Sequence, residues 1–187
     1  TVADGLVVER FAEDLEHPRN MYVLPNGDVL VAETNAPPGR MEGIEGWIAE
    51  WLFTKAGAGV PSANRITLLR DADGDGKPEV RSKFLEGLNS PFGMVLVGDI
   101  LYVANTDAVL AFPYKDGDTQ ITTKGNKILA LNARAPNNHW TRNLVASADG
   151  KKLYIAVGSN SNIAENGLDK EAGRARVIEL DLVTGKS

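Results

Sequence analysis

Apolar and polar positions alternate along this chain in short runs, and one such pattern recurs three times. HPRNMYVLPNGDVLVAE from His17, NSPFGMVLVGDILYVAN from Asn89 and HWTRNLVASADGKKLYIAVG from His139 each read as an apolar strand, a Gly/Asp turn and a second apolar strand. In the first copy the pattern predicts strands over 19–24 and 29–33 around the turn Pro25, Asn26, Gly27, Asp28, followed by strands over 65–70 and 80–85. The second copy predicts 92–97, a turn at Gly98 and Asp99, then 100–104, 108–114 and 127–131. The third predicts 142–147, a turn at Asp149 and Gly150, then 153–157 and 176–182, with no fourth strand. A further alternating stretch, Gly5 to Ala12, precedes the first copy.

Equivalent positions Met21, Met94 and Leu144 are 73 and 50 residues apart. Removing the non-repeating stretch of about 36–63 brings the first interval to about 45, the spacing of four-stranded propeller blades. The fold class is therefore read as all-β, a β-propeller with about three blades and one insertion. A ring needs at least about four blades, so the expectation is one part of a longer propeller, with Gly5 to Ala12 as the outer strand that completes the last blade. The other reading, three blades as an open sandwich, leaves costly sheet edges bare. Within the insertion, Ile44, Trp47, Ile48, Trp51 and Leu52 follow helical spacing, with Glu42, Glu45 and Glu50 around them. This predicts an amphipathic helix packed on the flank of the propeller; a lid or partner-binding helix is the sharper alternative.

Composition narrows the function. The chain has 187 residues, 43% hydrophobic and 24% charged, which is typical of a folded domain. Its net charge of -5, without a basic run, argues against nucleic acid as a partner. The absence of Cys removes disulfides, zinc fingers and thiol nucleophiles. No apolar run approaches the ~20 residues that span a bilayer, and a start at Thr1 is compatible with a removed signal peptide.

Candidate chemistry gathers in the loops ahead of the first strand of each copy and after its second, which open on one face of a propeller. They hold Asp14, Glu16, His17, Arg19 and Asn20, then Asn89 and Ser90, then Asn137, Asn138, His139 and Arg142, with Asn105, Ser159 and Asn160 after the second strands. His139 at such a mouth suits proton abstraction, because an imidazole titrates near neutral pH; a surface histidine making a loop hydrogen bond is the plainer reading. His17, directly before Pro18, reads as structural. Asp71, Asp73 and Asp75 have the D-x-D-x-D-G spacing that surrounds a hard cation with oxygens, with Ser82 where an EF-hand has a bidentate Glu. A metal-free acidic hairpin is the alternative. GAGVPSA at Gly57 follows a helix instead of a strand, the wrong context for a dinucleotide loop; a nucleophile elbow and a P-loop are lacking.

These residues resemble the soluble glucose/sorbosone dehydrogenases, six-bladed propellers that use pyrroloquinoline quinone (PQQ) with calcium. The likeness rests on HPRNMYVLPNGDVLVAE, EGLNSPFGM, DADGDG and NNHWTRNLVASADGKKLYIAVGSNSN, and the VGSNSN segment points to the sorbosone dehydrogenase-like branch. The resemblance implies PQQ and Ca2+ as cofactors, an aldose or aldehyde sugar as substrate, and a periplasmic or secreted enzyme whose electron acceptor is unspecified. It makes His139 the general base, with hydride passing from C1 to the quinone. It places the cofactor near Asn138, Arg142, and Asn89 or Ser90, where the glucose branch has a quinone-contacting Gln. Where that branch has Asp before the histidine this chain has Asn138, and where it has Gly-Asp this chain has Gly158-Ser159. It also implies that most cations for the PQQ carboxylates come from blades beyond residue 187. Competing classes are a non-catalytic propeller that binds a partner or polysaccharide, and a calcium-dependent propeller hydrolase or lactonase.

Overall fold

The structure is a computed structural model that describes residues 2–37, 43–56 and 60–187. Glu42 and Gly57 lie outside the described residues, as do the side chains of Glu45 and Glu50. Eleven described strands form three antiparallel sheets in chain order. The first consists of β1 (Pro18–Val23), β2 (Val29–Glu33), β3 (Arg65–Arg70) and β4 (Val80–Leu85). The second consists of β5 (Met94–Val97), β6 (Ile100–Ala104), β7 (Ala108–Pro113) and β8 (Asn126–Ala130). The third has only β9 (Arg142–Ala146), β10 (Lys152–Val157) and β11 (Arg176–Asp181). Each sheet is a meander in which neighbouring strands are consecutive in the chain. The first hairpin turns tightly: Asn26 Oδ1 accepts from the Asp28 amide at 3.0 Å and Gly27 takes φ 91°. The described residues do not close a ring.

Alternation along the strands separates two cores. Along β6, Leu101 and Val103 face Leu30, Ile66, Leu68 and Phe84 of the first sheet, while Tyr102 and Ala104 face Leu144, Leu153, Ile155 and Leu180 of the third. The second sheet is thus covered on both sides, and each buried Leu or Phe contributes roughly 1.5–3 kcal/mol. The first sheet buries Val31, Glu33, Thr67 and Leu69 on its other face as well, while Met21 and Val23 on its edge strand β1 are exposed. In the third sheet Val145 on β9 and Val177 on β11 are exposed. Sheets two and three meet through backbone at Gly93, whose amide donates to Arg142 O at 2.9 Å; an added Cβ would stand 2.6 Å from the Leu144 nitrogen.

Gly5 to Ala12 joins none of the three sheets, and Leu6, Val7 and Val8 are 67–81% exposed; the last blade it is expected to complete is not one of these sheets. The predicted helix forms as α1 (Gly43–Lys55), but among the described residues its apolar stripe is not covered. Ile44, Trp47, Ile48, Trp51 and Leu52 are all exposed, and Lys55 Nζ instead sits 4.1 Å from the centre of the Trp51 ring one turn back. Helical spacing reports a stripe, and only packing decides whether something covers it. No helix among the described residues is long and apolar enough to cross a membrane.

The first sheet carries two buried carboxylates. Glu33, with no exposed surface, accepts from Arg65 Nε at 3.1 Å and Nη2 at 2.9 Å, from Thr67 Oγ1 and from the Glu16 amide. Asp28 takes Arg70 in a two-pronged contact at 2.7 Å on each oxygen. Burial works against ionisation of Glu33, yet the donors from Arg65, Thr67 and the Glu16 amide outweigh it and hold its carboxyl below the usual range. At Asp28 the Arg70 hydrogen bonds lower the carboxyl further than burial raises it. Both folded pKa values lie under the unfolded ones, so this stabilisation is full above about pH 4–5 and is lost as pH falls through the folded values. Thermal unfolding between pH 6 and pH 3 should show a Tm that drops on acidification, roughly 2–4 °C for each kcal/mol lost. An Asp28→Asn, Glu33→Gln variant should start lower and respond less; equal pH slopes in both proteins would refute the assignment.

Candidate functional site

The meander brings the segments ahead of β1, β5 and β9 and those after β2, β6 and β10 to one end of the sheets. Asn20 Nδ2 crosses from the first opening to Phe92 O at 3.0 Å, and Asn137 Nδ2 crosses from the third to Thr106 Oγ1 of the second at 3.0 Å. Arg19, at the first opening, stacks its guanidinium 5.5 Å from the centre of the buried Trp140 ring, directly beside His139 in the chain. Residues far apart in sequence therefore share one mouth.

His139 is exposed, and its ring is tethered on one side only. Nδ1 lies 3.0 Å from Ser159 Oγ and 3.3 Å from Ser159 O. Gly158 makes this approach possible: a Cβ there would stand 2.6 Å from His139 Cβ and 2.7 Å from His139 O, so no side chain fits. Behind the ring, Asn160 Nδ2 donates to Pro136 O at 2.6 Å, and Glu171 accepts from the Asn160 amide at 2.7 Å, the Ser161 amide at 3.1 Å and Ser161 Oγ at 2.9 Å. The donors from Asn160 and Ser161 keep the Glu171 carboxyl below its ordinary range.

Arg142 is fully buried beneath this loop. Its Nη1 donates to His139 O at 2.7 Å and Thr141 O at 3.0 Å; its Nη2 donates to Asn132 O at 3.0 Å and Asn137 Oδ1 at 3.2 Å. The expectation that Arg142 meets a cofactor at the mouth is corrected: the guanidinium is fully buried, so its Nη donors are spent on oxygens of its own loop. Arg174, 5% exposed, reaches the same Asn137 Oδ1 at 2.8 Å and also donates to Arg134 O. Burial, and then the charge of Arg174, push the Arg142 guanidinium down to about 10, so it remains cationic at neutral pH. Arg174 lies in a loop with no strand pattern, and its role becomes visible only through burial.

Of the remaining candidates, Asn138 is half-buried beside His139 and Asn89 is exposed at the second opening. Ser90 is 1% exposed and its amide donates to Asn64 Oδ1 at 2.9 Å, so its side chain is not presented to a ligand. His17 is exposed and lines an open cleft of about 720 Å³ with Glu16, Pro18, Pro61 and Ser62. Its carbonyl accepts from the Thr34 amide at 3.1 Å.

Asp71, Asp73 and Asp75 lie in the β3–β4 hairpin, at the end of the first sheet opposite the mouth. They converge with Glu79, each offering a carboxylate oxygen within 4.8 Å of the others. The Asp71 carboxylate already receives the Gly74, Asp75 and Gly76 amides at 2.7, 3.2 and 2.8 Å. Four hard oxygens fit a hard cation. Glu79 escaped the sequence reading because the EF-hand count leads to Ser82.

Comparison with known proteins follows this geometry. The chain aligns over 98% of its length with the holo form of the PQQ domain of pyranose dehydrogenase from Coprinopsis cinerea, at 18% identity and a TM-score of 0.71, covering 38% of that chain. It aligns likewise with the calcium structure of Trichoderma reesei Carbohydrate-Active Enzymes Family AA12, at 16% identity and a TM-score of 0.70, covering 40% of that chain. The iodide structure of the same Trichoderma reesei protein gives 16% identity and a TM-score of 0.68. At such identities the likeness concerns the fold, and the chain spans about two fifths of the length of these structures. No curated protein sequence matches it. A family profile described as TrAA12-like matches residues 1–187, in place of the sorbosone dehydrogenase-like branch to which VGSNSN pointed. The chain belongs to the TrAA12-like family.

Proposed function

We propose that this chain supplies the first three blades of a six-bladed propeller that oxidises a sugar or aldehyde at C1 with PQQ, with His139 as the general base. The observation that carries the reading is an exposed imidazole at the shared mouth, tethered at Nδ1 by Ser159 and fixed from below by Arg142 through the His139 carbonyl. The fold likeness to a PQQ domain of a pyranose dehydrogenase supports the cofactor, and favours pyranoses among the sugars. When bound, PQQ accepts the hydride that leaves C1. His139 takes the proton of the C1 hydroxyl, Asn138 and Asn89 present amides to the mouth, and Arg19 brings a cation beside Trp140. Most cations for the three PQQ carboxylates come from the remaining blades, since Arg142 and Arg174 are buried and engaged. In this reading Gly5 to Ala12 completes the last blade, the stretch of about 36–63 is an insertion between β2 and β3, and the enzyme works in the periplasm or outside the cell.

A non-catalytic binding propeller is favoured by one observation: Asn138 and Ser159 put no carboxylate against the imidazole. The hydrolase reading loses ground, because Asp71, Asp73 and Asp75 stand at the end opposite the mouth. The full-length protein should alter the PQQ absorption spectrum on titration and reduce an artificial acceptor with a pyranose. An unchanged spectrum, with no turnover across an aldose and aldehyde panel, would leave the binding-module reading. Calcium at the Asp71, Asp73, Asp75 and Glu79 hairpin should raise Tm: saturation at a hundred times Kd is worth about 2.7 kcal/mol. Asp73→Asn should cancel that shift without touching turnover, given the distance from the mouth along the sheet.

A further inference from the structure

The two groups that face His139 Nδ1 are the Ser159 carbonyl oxygen at 3.3 Å and Ser159 Oγ at 3.0 Å. A carbonyl oxygen only accepts. The hydroxyl has a single proton, and it is donated to Ser161 O at 2.7 Å, another carbonyl that has no proton to return. With Nδ1 protonated, both neighbours accept from it and the Ser159 hydroxyl proton stays directed at Ser161 O. The opposite tautomer would set the Ser159 carbonyl lone pair against an unprotonated nitrogen, could satisfy Nδ1 only by drawing the hydroxyl proton away from Ser161 O, and would leave Nε2 already protonated.

We propose that Ser159 is a positioning residue that fixes His139 as the Nδ1–H tautomer, so that Nε2 keeps its lone pair and is the atom that takes the substrate proton. The second half of this statement rests on the reading of His139 as the base. Among the described residues none bonds Nε2, which leaves it open to a ligand.

The relay behind Ser159 is anchored. Ser161 is 1% exposed, and both its amide and its hydroxyl are held by Glu171, so its carbonyl keeps the direction that captures the Ser159 proton. Gly158 keeps the two segments at backbone contact, which holds Ser159 within reach of the ring. The tautomer is thus selected by neutral oxygens, with the nearest carboxylate of the relay, Glu171, bonded to Ser161 and Asn160 instead of to the imidazole.

The test is long-range nitrogen–proton NMR on the full-length protein labelled with ¹⁵N at histidine, with the His139 signals assigned by their loss in His139→Gln. In the neutral imidazole, Nδ1 is expected to show the protonated, pyrrole-type shift and Nε2 the pyridine-type shift. Ser159→Ala retains only the longer carbonyl contact and should give a mixture of tautomers, while Ser159→Thr, which keeps a hydroxyl, should restore the single form. Turnover should follow: kcat down about tenfold in Ser159→Ala with KM within about twofold, and recovered in Ser159→Thr. An unprotonated Nδ1 in the unaltered protein, or an unchanged tautomer in Ser159→Ala, would overturn the proposal. A shifted tautomer accompanied by full turnover in both Ser159→Ala and His139→Ala would uphold the tautomer assignment and overturn the base reading instead.

Discussion

Replacing His139 with alanine in the full-length protein is expected to lower kcat for the sugar by ~10²- to 10⁴-fold, the usual contribution of a positioned general base, while Tm stays within about 1–2 °C. The separation of rate from stability follows from where the residue's two connections lie. The side chain is exposed and gives up only its contact with Ser159, whereas the loop is anchored through the His139 carbonyl, which Arg142 holds at 2.7 Å regardless of the side chain. Substrate binding should change little, because the base acts on the proton in flight and most of the sugar and cofactor contacts lie elsewhere around the mouth. Steady-state kinetics with PQQ and an artificial acceptor, alongside a thermal melt, measure both quantities. A loss of kcat below tenfold would remove His139 from the role of base.

Arg142→Met is expected to do the reverse, costing roughly 2–4 kcal/mol of stability and disordering the His139 loop with it. The methionine fills much of the arginine's volume, so the loss is one of donors. Three partly buried carbonyls, those of His139, Thr141 and Asn132, would lose their present partner, while Asn137 Oδ1 would retain Arg174. Each orphaned acceptor costs about 1–3 kcal/mol. The total is offset in part because Arg142 is itself expensive: it is fully buried, has an Nε without a partner, and lies near a second buried cation, Arg174. Arg142→Lys should recover little, since one ammonium does not reproduce a planar fork that spans four oxygens. Denaturant unfolding decides the matter, and a change under about 1 kcal/mol would show that water replaces the guanidinium at little cost.

The strands were legible because their cause is local. Alternation of apolar residues and Gly/Asp turns are properties of a few neighbouring residues, and ten of the eleven described strands begin within one residue of the predicted position. The exception, β5, starts at Met94 instead of Phe92 because Gly93 turns its amide toward Arg142 of the third sheet, a contact made across half a hundred residues. The helix illustrates the boundary. The spacing of Ile44, Trp47, Ile48, Trp51 and Leu52 specified α1, but its orientation depends on what lies against it, and the described sheets leave that stripe exposed.

The candidate site divides in the same way. His139 stood out in the sequence because it stands five residues ahead of Leu144, where Glu16 and Asn89 stand ahead of the equivalent Met21 and Met94, so comparison of copies was sufficient. Arg142 was named for the wrong reason: the resemblance put it beside the cofactor, and burial instead made it the clamp of the loop. Ser159 was named as a residue of the mouth, but its bond to His139 was not legible, and Arg174, Glu171 and Ser161 had no local signature, since each acts through a partner 10 to 42 residues away. Period, turn chemistry and residue type along the chain determined the all-β repeat and singled out one histidine. The tertiary structure decided which side of that histidine is bound, which arginine is buried and which apolar stripe stays bare, because hydrogen-bond direction and burial are set by groups that meet only when distant segments pack.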